Sequence, residues 1–344
     1  MDNLTQAVLL LTADFSKSAK SDPLTLLTPL TPTEWGRFAL WLKESGLQPE
    51  ALLVNDPAGL LAGWSDDKIT VDRIISLLRR APALAMALEK WQRAGLWVVT
   101  RADPQYPRRL KERLKNASPP LFFGCGNRNL LGQRGIAVVG ARDAKGEDLE
   151  LARRLGEMAA DQGWNIVSGG ARGIDESAML GALERGGTAV GVLPNNLLRV
   201  ATSAKYRSAL MSDNAVLLSP FNPEAGFEVA NAMVRNRYIY CLADAAVAIA
   251  AGKGKGGTWN GALDNLKHGW TPLWVNPTPT PTSKPTPKSS PDPASGSSKL
   301  ILQGAGALPD DLASLNLSDL VNVPHSPKPA PTSHQQMSLL GDDS

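Results

Sequence analysis

Cysteine and histidine are nearly absent: 344 residues contain two of the first and three of the second. Cys125 and Cys241 stand too far apart for a disulfide framework or a metal-ligand pair, and His268, His325 and His334 all fall late in the chain. A reduced protein with no structural metal and no cofactor is expected. Long apolar runs are missing as well. The run from Ala7 to Leu11 is too short for a signal-peptide core or a membrane span, and no basic region precedes it, so a cytoplasmic location without a membrane partner is expected. Charge of one sign is scarce overall, since 36 Lys+Arg and 33 Asp+Glu leave a formal net charge of +3. The balance fails locally, because residues 101–145 carry ten Lys/Arg (among them Arg101, Arg108, Arg109, Lys111, Arg113, Arg128, Arg134 and Arg142) against three acids. Such a segment suggests an anionic partner, or simply a solvated basic face.

What the chain does have is enough apolar residue, 43%, for about two ordinary domains. Leu40, Trp41, Ile74, Ile75, Leu77, Leu78, Leu84, Leu88 and Trp91 recur at helical spacing between turn signals at Gly46, Pro49 and Gly63, which predicts a small helical domain over residues 1–95. A short strand follows at Leu96 to Val99. From residue 136 near-continuous apolar runs at 136–140, 164–168, 188–193, 215–219, 245–250 and 272–275 alternate with helix-like stretches at 147–162, 174–185, 199–212, 226–242 and 258–268. Strands covered on both faces and separated by helices predict an α/β fold, with a doubly wound, mostly parallel Rossmann-like sheet over residues 96–275. Seven prolines among residues 276–298 mark a disordered, extended linker. Residues 299–344 read as a tail containing a weakly apolar patch at 299–323.

Ligands of such sheets bind at the carboxyl ends of the strands, where helix amino termini point N–H groups outward. Four loops belong there. Gly140-Ala141-Arg142 follows the first strand of the parallel set and lacks the dinucleotide glycine pattern. The second, Ser168-Gly169-Gly170-Ala171-Arg172-Gly173-Ile174-Asp175, has more glycines than a plain turn needs, and its Asp175 fits a helix cap better than a catalytic acid. Arg235 and Arg237 flank Asn236 about 200° apart on a helix, so one is expected to face an anion and the other to be buried. Gly252-Lys253-Gly254-Lys255-Gly256-Gly257-Thr258, ahead of the last helix, would make an anion cradle but is not a Walker A loop.

Three stretches in order resemble one family. AVVGAR (137–142), VSGGARGIDESAMLGALERGGTAVGVLP (167–194) and RNRYIYCLADAAVAIAA (235–251) are similar to the DNA-processing protein A (DprA, or Smf) family, and WVVTRADPQYPRRLKERLKNASPPLFFGCGN (97–127) looks like the family's lead-in to the sheet. The resemblance covers about residues 97–275. It implies a homodimer that binds single-stranded DNA in a basic pocket at the strand ends and loads the recombinase RecA in natural transformation, with no catalysis established. Carried over, Arg142, Ser168, Gly169, Arg172 and Arg235 would line that pocket. The nucleic-acid-binding set expected from both readings is Gly140, Arg142, Ser168, Gly169, Gly170, Arg172, Gly173, Arg235, Arg237, Lys253, Lys255, Gly256, Gly257 and Thr258. The chain departs from the family in its lysine-rich GKGKGGT loop, in the spacing of PEAGFEVANAMVRNR, and in having no evident winged-helix domain after the linker; a divergent role in defence or mobile-element maintenance is the variant of the same reading.

Two further readings come from short motifs. GKGGTWNGALDNL resembles a segment of nucleotide phosphoribohydrolases of the same fold, the alternative being a nucleotide-binding or hydrolysing module. Those enzymes carry a glutamate where this chain has Gly261, with Asp264 the nearest acid. In the tail, Gln336-Met337-Ser338-Leu339-Leu340 resembles the peptide with which bacterial replication and repair proteins dock on the DNA polymerase sliding clamp, chance being the even alternative.

Overall fold

The structure is a computed structural model that describes residues 1–14, 28–252, 254, 256–276, 296–309 and 311–322. The chain opens with helices α1 (Asn3–Thr12), α2 (Pro32–Glu44), α3 (Ala51–Val54), α4 (Pro57–Leu60), α5 (Val71–Leu78) and α6 (Ala81–Arg93). Local sequence starts several of them. Asp2 accepts from the Thr5 amide, Thr31 and Glu34 form a reciprocal capping box ahead of Pro32, and Asp56 and Thr70 cap α4 and α5. The run from Ala7 to Leu11, unable to span a membrane, is wholly buried; it forms the centre of a core with Phe38, Leu42, Leu52, Leu61, Ile74 and Leu77. No helix among the described residues is long and apolar enough to cross a membrane.

The rest of the chain builds one sheet. Its elements in order are β1 (Trp97–Thr100), α7 (Arg108–Leu114), β2 (Leu121–Gly126), β3 (Gly135–Gly140), α8 (Glu147–Asp161), β4 (Asn165–Ser168), α9 (Ile174–Glu184), β5 (Thr188–Val192), α10 (Leu197–Ala201), α11 (Ala204–Met211), β6 (Ala215–Ser219), α12 (Val229–Leu242), β7 (Ala245–Ile249), α13 (Gly257–His268), β8 (Leu273–Val275), α14 (Gly296–Leu302) and β9 (Gly306–Ala307). Spatial order is β1-β2-β6-β5-β4-β3-β7-β8-β9. The six strands from β6 to β8 run parallel, β9 extends them, and β1 and β2 join antiparallel on the far side. Side chains alternate between two cores, Ile136 and Val138 on one face and Ala137 and Val139 on the other, as a doubly covered sheet requires. The helical layer docks on the first of these faces, where Trp91 meets Phe123 edge-on at 4.8 Å.

Strand order reverses at β3. Successive strands β3, β4, β5 and β6 step one way, and the chain then returns through α12 to place β7 on the other side of β3. The loops leaving β3 and β7 therefore diverge to opposite faces, which opens a crevice at their carboxyl ends.

The basic segment and the presumed tail both take structural work. Arg113 donates to the carbonyls of Tyr240, Cys241 and Ala243 at 3.2, 2.9 and 2.6 Å, meeting the orphan acceptors where α12 ends. Arg109 donates to Gln133 and pairs with Asp244 at 3.1 Å. Arg128 and Arg134 lie over the rings of Trp97 and Trp164, at 4.7 and 3.8 Å. In the patch at 299–323, β9 adds to the sheet edge, Leu300, Leu308, Leu317 and Leu320 are buried, and Gln162 exchanges hydrogen bonds with Leu315 and Leu317. The apolar spacing of that patch is thus used against the sheet, whereas most of the linker and residues 336–340 lie outside the described residues.

Candidate nucleic-acid interface

A crevice of about 610 Å³ occupies the switch point. Its walls are the loop after β3 (Gly140, Ala141, Arg142, Asp143), the loop after β7 with the start of α13 (Gly252, Gly256, Gly257, Thr258, Asn260), and the side of α12 that carries Arg235 and Asn236. The loop after β4 contributes only Ala171 and Asp175.

Arg235 is the unusual group. Its side chain is 96% inaccessible, and within the described residues its Nε and Nη1 atoms make no hydrogen bond. The nearest counter-charge is Asp175 Oδ2, 3.8 Å from Nη1. Asp175 is itself engaged: Oδ1 accepts from the Gly140 amide at 3.2 Å and Oδ2 from the Gly169 amide at 3.1 Å. The expectation that Asp175 caps its own helix is therefore corrected. The residue at the start of α9 is Gly173, no side chain caps it, and Asp175 instead ties the ends of β3 and β4 together beneath Arg235. Burial pushes the Asp175 carboxyl above its ordinary value, with Arg235 and the two amides opposing, and burial likewise lowers the Arg235 guanidinium. An anion bound in the crevice would oppose the effect of burial on Arg235 and favour its charged form further.

The glycines of VSGGARGID serve this geometry from behind the wall. A Cβ at Gly169 would lie 1.5 Å from Arg235 Nη1, so that position has to be glycine for the guanidinium to sit where it does. Gly173 adopts φ +91°, and a Cβ there would meet the Ala141 carbonyl oxygen at 2.4 Å. Ser168 is fully buried and donates to the Val138 carbonyl at 2.5 Å, joining β4 to β3. Ser168, Gly169, Gly170, Gly173 and the exposed Arg172 are thus not brought to the crevice wall, whereas Gly140, Arg142, Arg235, Gly256, Gly257 and Thr258 are. Arg237 lines a smaller neighbouring cleft. Lys253 and Lys255 lie outside the described residues.

Three exposed apolar residues of the wall were not in the expected binding set. Phe227, Val229 and Met233 line the crevice and are 51%, 66% and 48% exposed, a run of large apolar side chains left in water. Val229 and Met233 are one helical turn apart at the start of α12, and Phe227 precedes them. The signal was available as apolar residues on the polar side of an otherwise buried helix. Arg142 lies over the Phe227 ring at 5.2 Å, which joins a cation to an aromatic face at the crevice mouth.

A family model for DNA recombination-mediator protein A matches residues 97–313. The DNA processing protein DprA of Bacillus subtilis is 29% identical over 230 residues, 66% of this chain and 73% of the relative. The fold is shared with DNA processing protein A of Streptococcus pneumoniae, with a TM-score of 0.56, 21% identity, and coverage of 81% of this chain and 95% of the other. It is also shared with the same protein of Helicobacter pylori, described for its single-stranded DNA binding mode, at a TM-score of 0.51 and 21% identity over 66% of this chain and 94% of the other. The matched segment runs from β1 past β9 and so contains every wall of the crevice, and the chain belongs to the DNA recombination-mediator protein A family.

Proposed function

We propose that the crevice binds single-stranded DNA, with a backbone phosphate at Arg235 and Arg142 and a base against Phe227. The observation that carries this reading is the Arg235 guanidinium, buried with Nε and Nη1 free of hydrogen bonds, at the wall of a crevice rimmed by exposed apolar side chains. A buried donor without an acceptor costs about 1–3 kcal/mol, more when charged, so the arrangement calls for an anion. A stacking platform beside it suits unpaired bases, whose faces are hidden in a duplex. The described binding mode of the Helicobacter pylori relative supports the same reading.

The family resemblance adds a non-catalytic protein of DNA processing and recombination that acts as a homodimer and hands its strand to a recombinase, and the tail motif from Gln336 to Leu340 adds docking on the sliding clamp. Anisotropy of a labelled oligo-dT across a salt series tests the core of the proposal. Each phosphate neutralised on a single strand steepens the log–log slope by about 0.7, so the Arg142→Ala protein should bind more weakly with a shallower slope. Binding insensitive to salt, or thermal stabilisation by nucleoside monophosphates without oligonucleotide binding, would replace this reading with a mononucleotide site.

A further inference from the structure

We propose that the small cleft beside the main crevice reads the edge of one base and prefers guanine. This rests on the single-stranded DNA reading and names what the strand presents next to its anchored phosphate. The cleft, about 120 Å³, follows the seam between α12 and α13 and shares Met233, Asn236, Gly257 and Asn260 with the crevice. Gly257, Gly261 and Asp264 recur on α13 at i, i+4 and i+7, and they face Met233, Asn236 and Arg237 of α12.

The chemistry differs along its length. At the crevice end Asn236 Nδ2 donates to the Gly257 carbonyl at 3.1 Å, which pins the two helices together and uses one of that amide's two donors. Gly261 lets the two helices approach closely, since a Cβ there would come within 3.3 Å of the Tyr240 ring and 3.4 Å of Asn236. At the far end stand Arg237, whose Nε is buried without a hydrogen-bond partner, and the exposed carboxylate of Asp264. These two form no ion pair within 4.0 Å, and neither has another ion-pair partner among the described residues.

A guanidinium and a carboxylate on opposite sides of one slot select a base with adjacent acceptors on one edge and adjacent donors on another. Guanine offers O6 and N7 to the arginine and the N1–H and N2–H groups to the carboxylate. Thymine has a single N–H flanked by two carbonyl oxygens, so a carboxylate there meets an acceptor on either side. Adenine and cytosine, with one amino group each, fall between.

The test compares a labelled all-dT 12-mer with the same strand carrying one central dG, bound to the whole protein. The expected result is at least fivefold tighter binding of the dG strand, the lower end of what one bidentate base contact supplies. Asp264→Asn should abolish that preference while leaving all-dT affinity equal or higher, because a negative charge has gone; Arg237→Gln should reduce it without unfolding the protein, as thermal melting would verify. Salt-dependent binding of both strands with equal affinity, or a preference that survives Asp264→Asn, overturns the cleft's role and leaves the crevice proposal standing. Absence of salt-dependent binding to either strand overturns both.

Discussion

Arg113 and Arg235 are both arginines set against the same helix, and they end in opposite conditions. Arg113, from the basic segment, reaches the carboxyl end of α12 and finds three carbonyls. Arg235, from α12 itself, is more deeply buried, is held 3.8 Å from one carboxylate, and has Nε and Nη1 left without hydrogen bonds. The contrast shows that the density of positive charge along a chain does not locate an anion site. Residues 101–145 hold the densest charge, yet Arg109, Arg113, Arg128 and Arg134 are engaged with carbonyls, Asp244 and indole rings. Arg142 is the one cation of that segment that lines the crevice, and the crevice's central cation comes from a stretch with no charge bias at all.

The comparison can be broken at either end. The largest effect is expected from Gly169→Ala, whose Cβ would displace the Arg235 guanidinium and strain the Asp175 contacts: single-stranded DNA binding should be lost, with a melting temperature lowered by several degrees, as differential scanning fluorimetry and anisotropy would read together. Next is Arg113→Ala, which leaves three carbonyls at the end of α12 to find other partners. A loss of about 1–3 kcal/mol is expected, visible as a drop in melting temperature, while oligo-dT affinity stays within about twofold. The reverse pattern belongs to Phe227→Ala, where an exposed ring is removed: stability should hold, and affinity should fall by about 1 kcal/mol or more, the usual contribution of a stacked base. Smallest is Arg108→Gln, whose partner Glu112 and own side chain are both largely in water. Neither melting temperature nor the salt slope should move measurably.

Much of the fold was legible because both relevant periods are strong. Ile136 to Val139 and Ala245 to Ile249 are apolar on both faces, which only a covered parallel strand tolerates, and the observed strands fall within a residue or so of the runs. Less legible was anything set by tertiary partners. Ala7 to Leu11 reads as a short apolar run until α2, α3, α5, α6 and β1 pack against it. Leu300, Leu308, Leu317 and Leu320 are too sparse to announce a domain, and they are buried only because the edge at β8 is there to receive them.

The site was legible in its loops and not in its contacts. Glycines at 140, 169, 170 and 173 marked a tight meeting of backbones, but spacing could not tell whether they faced a ligand or a side chain. For Gly169 the neighbour is Arg235, 66 positions along the chain. Asp175 misled for the same reason: an acid near a helix start reads as a cap, and nothing local reveals that its two oxygens meet amides from two different strand ends. That helical spacing separates Arg235 from Arg237 was readable; which one is buried depended on the sheet beneath α12.

The central claim is that the buried, incompletely hydrogen-bonded guanidinium of Arg235 anchors a phosphate. Arg235→Lys keeps a positive charge beside Asp175 and removes the planar fork of donors, so measuring oligo-dT affinity and melting temperature on that one protein separates anchoring from folding. The account predicts affinity reduced tenfold or more with the melting temperature within about 3 °C of the unaltered protein. Undiminished affinity, with stability alone affected, would contradict it and make Arg235 a structural cation like Arg113.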